Sequence, residues 1–334
     1  MNRLVQIYQT MTFHCPIFYQ PENCALYRNR VNFFQMQPNM ILGNSFMVST
    51  CTSSRQNESA LRSVVFKALD HKVVFSTVSK LSTIINNELI SPVMITRLVV
   101  PTPEFETTIK NGLKAGIYTE EPIEFPDLRQ AFSAIDQETT WELTIKAGLE
   151  TISRPLLNQS GLSLREFLRH SFATAAGCAS IAEFLDLPKH QFIVAGLFHN
   201  IGIPVLANSF PDSYKTFQNV LPGSSSFLED LERNEFGFTH EDAGAVFLMA
   251  ATSPDNSWKS ASNHHSPDET NDLITASVRV CSNVAHQVGC TLGFANACNK
   301  LHPSLIPGIG LNDHALSKIA QAMATASSQA SKIT

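Results

Sequence analysis

Between residues 72 and 290 the apolar side chains recur every three or four positions, with few strand-like alternations. Phe105, Ile109, Leu113 and Ile117 step by four, and Phe75, Val78, Leu81 and Ile85 by three, three and four. Leu128, Phe132, Ile135 and then Trp141, Leu143 and Ala147 continue the pattern less regularly. This is the period of a helix with one buried face, so the expected architecture is helix packed on helix. Residues 191–198, QFIVAGLF, carry no charge and predict a buried helix, with His199 near its end and Gly202 and Pro204 stopping it. Ser163 followed by Glu166 predicts a capping box that opens a helix bearing Leu164, Phe167, Leu168, His170, Phe172 and Ala175.

On either side of that zone the texture changes. Residues 1–71 hold aromatics, three cysteines and a polar stretch at 49–58 that reads as a linker, with helical spacing only over 60–70. They are expected to be an irregular N-terminal extension. Residues 291–334 contain a Pro/Gly interruption, then predict one helix capped by Asn312 or Asp313 and carrying Ala315, Ile319, Ala320 and Met323. Only 16% of residues are charged, and the net charge is −5, which argues against a nucleic-acid partner. The seven cysteines never form a close pair, as a disulfide framework or a structural zinc site would require. The expectation is a reducing, cytoplasmic setting. The N-terminus lacks the continuous apolar core of a secretory signal, and the uncharged stretch 31–54 is too rich in Gln, Asn, Ser and Thr to span a membrane. No phosphate-cradling glycine loop or GxSxG elbow occurs.

Histidine is abundant, at eleven residues, and five of these fall at successive helical positions: His170, His199, His240 and the pair His264-His265. A single histidine at the edge of an apolar run is most simply a hydrogen-bonded core residue. Five of them could converge in a bundle, and imidazole is the commonest side-chain ligand of divalent transition metals. The acidic run 228–235, LEDLERNE, reads as a solvated helix face, and Cys178 as a small buried residue.

Those histidines carry a family resemblance. AGLFHNIGIPVL (195–206) is similar to the AGLLHDIGKLVL signature of HD-superfamily phosphohydrolases, and more specifically resembles the HDOD domain, the HD-related output domain of bacterial signalling proteins. Leu168, Arg169, His170 and Ser171 resemble the helix bearing the family's first histidine. Glu232, Gly237, His240 and Gly244 resemble its E…G..H…G pattern, and Pro254 with His264-His265 its LP…HH segment. Gly196 and Gly202 fall within the first signature. The likeness spans about 72–290 and implies an all-α, HD-like helical bundle with a second helical lobe.

Two departures bear on chemistry. The His-Asp doublet of the catalytic enzymes is His199-Asn200 here, and the later Asp position falls among Cys281, Ser282 and Asn283. The lysine that often follows the doublet is Ile203. A phosphohydrolase needs an anionic pocket to hold a hard cation, and neutral amides and hydroxyls do not supply it. The expectation is a neutral, all-imidazole pocket with no catalytic residues. The resemblance implies a non-catalytic regulatory module that works through a signalling partner protein. A divergent metal-dependent phosphohydrolase and a structural protein with a filled pocket stay open. No cofactor is expected beyond a vestigial divalent metal, held weakly by His170, His199, His240, His264 and His265.

Overall fold

The computed structural model describes residues 52–333, apart from 88, 120, 224–225, 252–256, 266–271, 293 and 295–304. Most of the expected N-terminal extension, and Pro254, therefore lie outside the described residues. Every regular element among the described residues is helical. The first six helices are α1 (Thr52–Leu69), α2 (Lys72–Ile85), α3 (Pro92–Val99), α4 (Pro103–Ala115), α5 (Leu128–Ala134) and α6 (Gln137–Leu157). Then come α7 (Leu164–Phe184), α8 (His190–Phe198), α9 (Gly202–Ser209), α10 (Pro211–Val220) and α11 (Leu228–Phe236). The chain continues with α12 (His240–Ala251), α13 (Ser257–Asn263), α14 (Leu273–Gln287), α15 (Leu305–Gly308) and α16 (Asp313–Ala330).

Two groups of helices share one core. In the first, α2 and α4 pack on α6, and α3 on α5. The Asp136 side chain caps α6 by accepting from Thr139 N, and the Trp141 indole N–H donates to the Ile84 carbonyl at 3.1 Å, tying α6 to α2. Gly148 makes that crossing close, because a Cβ there would lie 2.5 Å from a Leu81 methyl. In the second group α7 is the hub, contacted by α8, α14 and α16. A Cβ on Gly196 of α8 would lie 2.6 Å from the Cα of Ala175, and one on Gly177 of α7 2.8 Å from the Cys281 sulfur. These glycines let backbone approach backbone where any side chain would hold the helices apart.

The structure shifts several expectations. The stretch at 49–58 read as a linker is helical from Thr52, and Leu61, Val64, Val65 and Ala68 of α1 enter the core. The compact unit runs over Asn57–Thr334, wider than 72–290, because α1 and α16 each bury an apolar face on it. Phe75 is 62% exposed, and the buried stripe of α2 begins instead at Val74. Ser163 caps α7, but Glu166 turns to Arg169 at 2.9 Å, where it gains an ion pair. Gly202 and Pro204 do not merely end α8; they open α9. Proline is tolerated in a first turn, whose N–H groups have no intrahelical partner.

Candidate functional site: a row of buried imidazoles

Six histidines meet where α7, α8, α12, α13 and α14 converge. His170 sits on α7, His199 caps α8, His240 opens α12, and His264-His265 follow α13. The sixth, His286 on α14, was not singled out in the sequence, although it stands one turn beyond Ser282. Ring centroids run His286–His170 4.6 Å, His170–His199 5.2 Å, His199–His264 4.9 Å and His264–His265 4.1 Å. His240 closes the row at 5.4 Å from His264 and 5.2 Å from His265. All five sequence-predicted histidines are therefore brought together and buried.

At one end, His170 donates Nδ1–H to the Cys290 carbonyl at 2.7 Å, and His199 donates Nδ1–H to Gly196 O at 2.9 Å. Both Nε2 atoms are then acceptors, and they face each other at 3.2 Å. The Ser282 hydroxyl lies 3.2 Å from the same His170 nitrogen and supplies a proton to it. Burial pushes the His170 imidazole down to about 4. Burial and the neighbouring His264 and His170 rings hold His199 well below the usual histidine range. Asn283 turns away along its helix and accepts from Gln287 at 2.7 Å.

In the middle, the Asn200 side-chain oxygen Oδ1 lies 3.0 Å from Nε2 of His264, whose Nδ1 faces the Ala261 carbonyl at 3.0 Å. Both ring nitrogens thus face acceptors, and a neutral His264 with its proton on Nδ1 is satisfied only with the Asn200 amide turned end for end, so that its NH2 meets the Nε2 lone pair. An amide can make that turn, whereas a carboxylate has no N–H to present. The neutral residue at position 200 thus suits a neutral imidazole row.

At the other end the pocket is not neutral, contrary to the sequence-based expectation. Glu232 is fully buried and accepts three hydrogen bonds: Tyr214 O–H at 2.6 Å, His240 N–H at 2.8 Å and His240 Nδ1–H at 2.7 Å. Burial opposes a charge on His240, but the Glu232 carboxylate overcomes it and lifts His240 to about 9. The Glu229 carboxylate lies 3.8 Å from Nδ1 of His265, and Glu241 accepts from the His265 backbone N–H at 3.1 Å. Burial lifts the Glu229 carboxyl to about 7. The run 228–235 is therefore not wholly a solvated face. Glu229 and Glu232, three residues apart, turn toward the histidines. That spacing, with Glu232 eight residues before His240, was the available signal for an inward-facing pair.

The glycines of the motif set this geometry. A Cβ on Gly202 would overlap the carbonyl oxygen of His240, so α9 and α12 touch through backbone, with Gly244 opposite. Gly237 ends α11 with φ +80°, which lets the chain turn from Glu232 back to His240.

Residues 119–267 match the HDOD domain family. The chain carries an HDOD domain. Its fold resembles that of a candidate phosphohydrolase from Shewanella amazonensis SB2B, at 13% identity and a TM-score of 0.59 over 81% of this chain and 98% of that one. It also resembles an HDOD domain protein of unknown function from Geobacter sulfurreducens, at 16% identity and a TM-score of 0.58 over 79% and 89%. A third likeness is to a candidate signal transduction protein from Marinobacter aquaeolei VT8, at 13% identity and a TM-score of 0.58 over 83% and 66%. At these identities the likeness is one of fold. No curated protein matches the sequence. The metal that catalytic HD domains hold at the His-His-Asp-Asp positions does not suit this HDOD domain. Asn200 is committed to His264, Ser282 to His170, and neither brings a negative charge.

Proposed function

We propose that this chain is a non-catalytic regulatory module that transmits a signal by contact with a partner protein. One observation carries the reading: the two positions where an HD hydrolase needs carboxylates hold Asn200 and Ser282, each hydrogen-bonded to an imidazole of the row. Without those acids the His170–His199 pair cannot neutralise a hard cation, lower the pKa of a bound water or clamp a transferring phosphoryl group. What remains is a packed polar seam that orients α7, α8, α12 and α14 against one another, a device suited to relaying a shift of helices.

A second reading, a divergent metal-dependent phosphohydrolase, is favoured by the three carboxylates at the far end, Glu229, Glu232 and Glu241. Turnover assays separate the two. The chain, supplied with Mn²⁺, Fe²⁺ or Zn²⁺, is expected to leave phosphomonoesters and cyclic dinucleotides intact, and to form a stoichiometric complex with one signalling protein of its own host. Metal-dependent turnover that disappears in His199→Ala would overturn the regulatory reading.

A further inference from the structure

We infer that α16 is a releasable latch on α7, and that the face it covers is the docking site for an amphipathic helix of the partner protein. α16 runs antiparallel to α7, with Ser327 against Arg169 and Met323 against Gly177 further along. Little apolar area holds it there. Of the residues this helix buries, only Ile319 and Met323 are large and apolar, while Ala315, Ala326, Ser327 and Ala330 bury a methyl or a hydroxyl. α6, by contrast, buries Trp141, Leu143, Ile145 and Leu149. Stabilisation follows the apolar area removed from water, so α16 separates at a lower cost than the rest of the core. Its remaining anchors are single hydrogen bonds, from Gln329 Nε2 to Thr119 O at 3.3 Å and from Lys332 Nζ to Gly116 O at 3.0 Å. Water replaces such bonds at little net loss.

The latch reaches the histidine row through Ser327. Its hydroxyl accepts from the Arg169 guanidinium, Nε and Nη2 each at 3.2 Å, and from the Cys290 thiol at 3.2 Å. The carbonyl of the same Cys290 accepts Nδ1–H of His170 at 2.7 Å. Ser327 therefore holds both the residue beside His170 and the segment whose carbonyl fixes the His170 tautomer. Release of α16 frees that segment. His170 then carries its proton on Nε2 and donates it to Nε2 of His199, which already faces it at 3.2 Å. The contact of two lone pairs becomes a hydrogen bond, and the row registers whether the latch is docked.

The face uncovered on α7 suits a helix built like α16. It takes a long, unbranched apolar side chain against Gly177, where a Cβ would lie 3.0 Å from the Met323 sulfur, and a hydroxyl one turn later to accept from Arg169. The missing side chain at Gly177 leaves a hollow that only an inserted neighbour fills, and methionine adapts to such gaps. The inference deepens the regulatory reading by naming the surface the partner uses, and it rests on that reading for the partner alone.

Hydrogen exchange of the full chain, followed by mass spectrometry, tests the latch without a partner. Amides of α16 are expected to exchange about 100-fold faster than those of α6 and α8, because the helix opens without global unfolding. Met323→Glu brings a charge to Gly177 and should speed α16 by about tenfold more, with α6 and α8 at parent rates. A labelled peptide of residues 312–334 should bind this variant about tenfold more tightly than the parent, whose own helix occupies the face. Isotope-labelled ring nitrogens should show His170 moving from protonated Nδ1 toward protonated Nε2 in the variant, with His240 unchanged. If Met323→Glu does not fold, Ser327→Ala, which keeps the helix and removes one hydroxyl, is read by the same two signals. Parent α16 amides exchanging no faster than those of α6, or an opened α16 that leaves the His170 signals unmoved, overturns the latch. An opened chain that does not take the peptide overturns the docking face. An opening α16 in a chain that turns over phosphoesters overturns the regulatory reading and leaves the latch standing.

Discussion

His170 and His199 face each other Nε2 to Nε2 at 3.2 Å, each with its Nδ1–H tied to a backbone carbonyl. Two lone pairs at that distance form a hydrogen bond only when a proton enters between them, and burial makes that proton costly. The pair is therefore tuned to stay neutral.

The first prediction concerns acid. His170 titrates at about 4 when folded, against 6.5 for an ordinary histidine. Between those values the unfolded chain binds the proton and the folded chain does not, so stability falls as pH drops. The loss from this one group begins near 6.5 and reaches about 3 kcal/mol by pH 4. His199, His264, His265 and His286 are depressed in the same direction and together outweigh Glu229, whose carboxyl, raised to about 7, contributes with the opposite sign. Urea denaturation at pH 7.5, 6, 5 and 4 should show a steepening loss, and His170→Gln should flatten it. Equal midpoints across that range would contradict the buried neutral row.

A second prediction concerns position 200. Asn200→Asp places a carboxylate against the His264 lone pair, a repulsion that a cation or a proton relieves. The variant should gain Mn²⁺ affinity by at least tenfold, read by calorimetry, yet show no phosphoester turnover because Ser282 and Asn283 still supply no charge. Unchanged Mn²⁺ affinity would show that the pair cannot be rebuilt by one acid.

Third, Gly202 and Gly244 meet at the α9–α12 crossing but tolerate substitution differently. A Cβ on Gly202 overlaps the backbone carbonyl of His240, which cannot turn aside, so Gly202→Ala should cost about 3 kcal/mol or more. A Cβ on Gly244 comes no closer than 3.2 Å to its neighbours, and alanine favours a helix, so Gly244→Ala should stay within about 1 kcal/mol of the parent. Thermal denaturation of the two variants side by side checks the order.

The fourth tests the face of α2. Phe75 is 62% exposed, and Phe75→Ser should change stability by no more than about 0.5 kcal/mol. Leu81 is buried over Gly148, and Leu81→Ala should cost about 2–5 kcal/mol. The reverse order in urea denaturation would return the stripe to the register that begins at Phe75.

Most of the helices can be read from the sequence. The stripe Phe105, Ile109, Leu113 is buried as its spacing requires, and Asn312 caps the last helix through Ala315 N. The error at Phe75 has a plain cause. Val74 and Phe75 both keep a helical step to Val78 and Leu81, and only docking on α6 decides which of the two is covered. The helical start of α1 within a polar stretch has a similar cause, because Leu61, Val64 and Val65 are stabilised by a core that lies far along the chain.

In the site, the sequence by itself determined five of the six histidines that belong together and which acids are missing, since both are matters of residue identity at motif spacing, whereas His286 lies outside the motif. The tertiary structure alone decided what faces those histidines. Glu232 and its partner Tyr214 reach the row because the Gly202–Gly244 crossing brings α12 against α9 and the turn at Gly237 folds the chain back so that Glu232 meets His240. Helical periodicity reports neighbours three and four residues away on the same helix. It carries no information about which face of a distant helix arrives opposite, and that is where the charge of this pocket comes from.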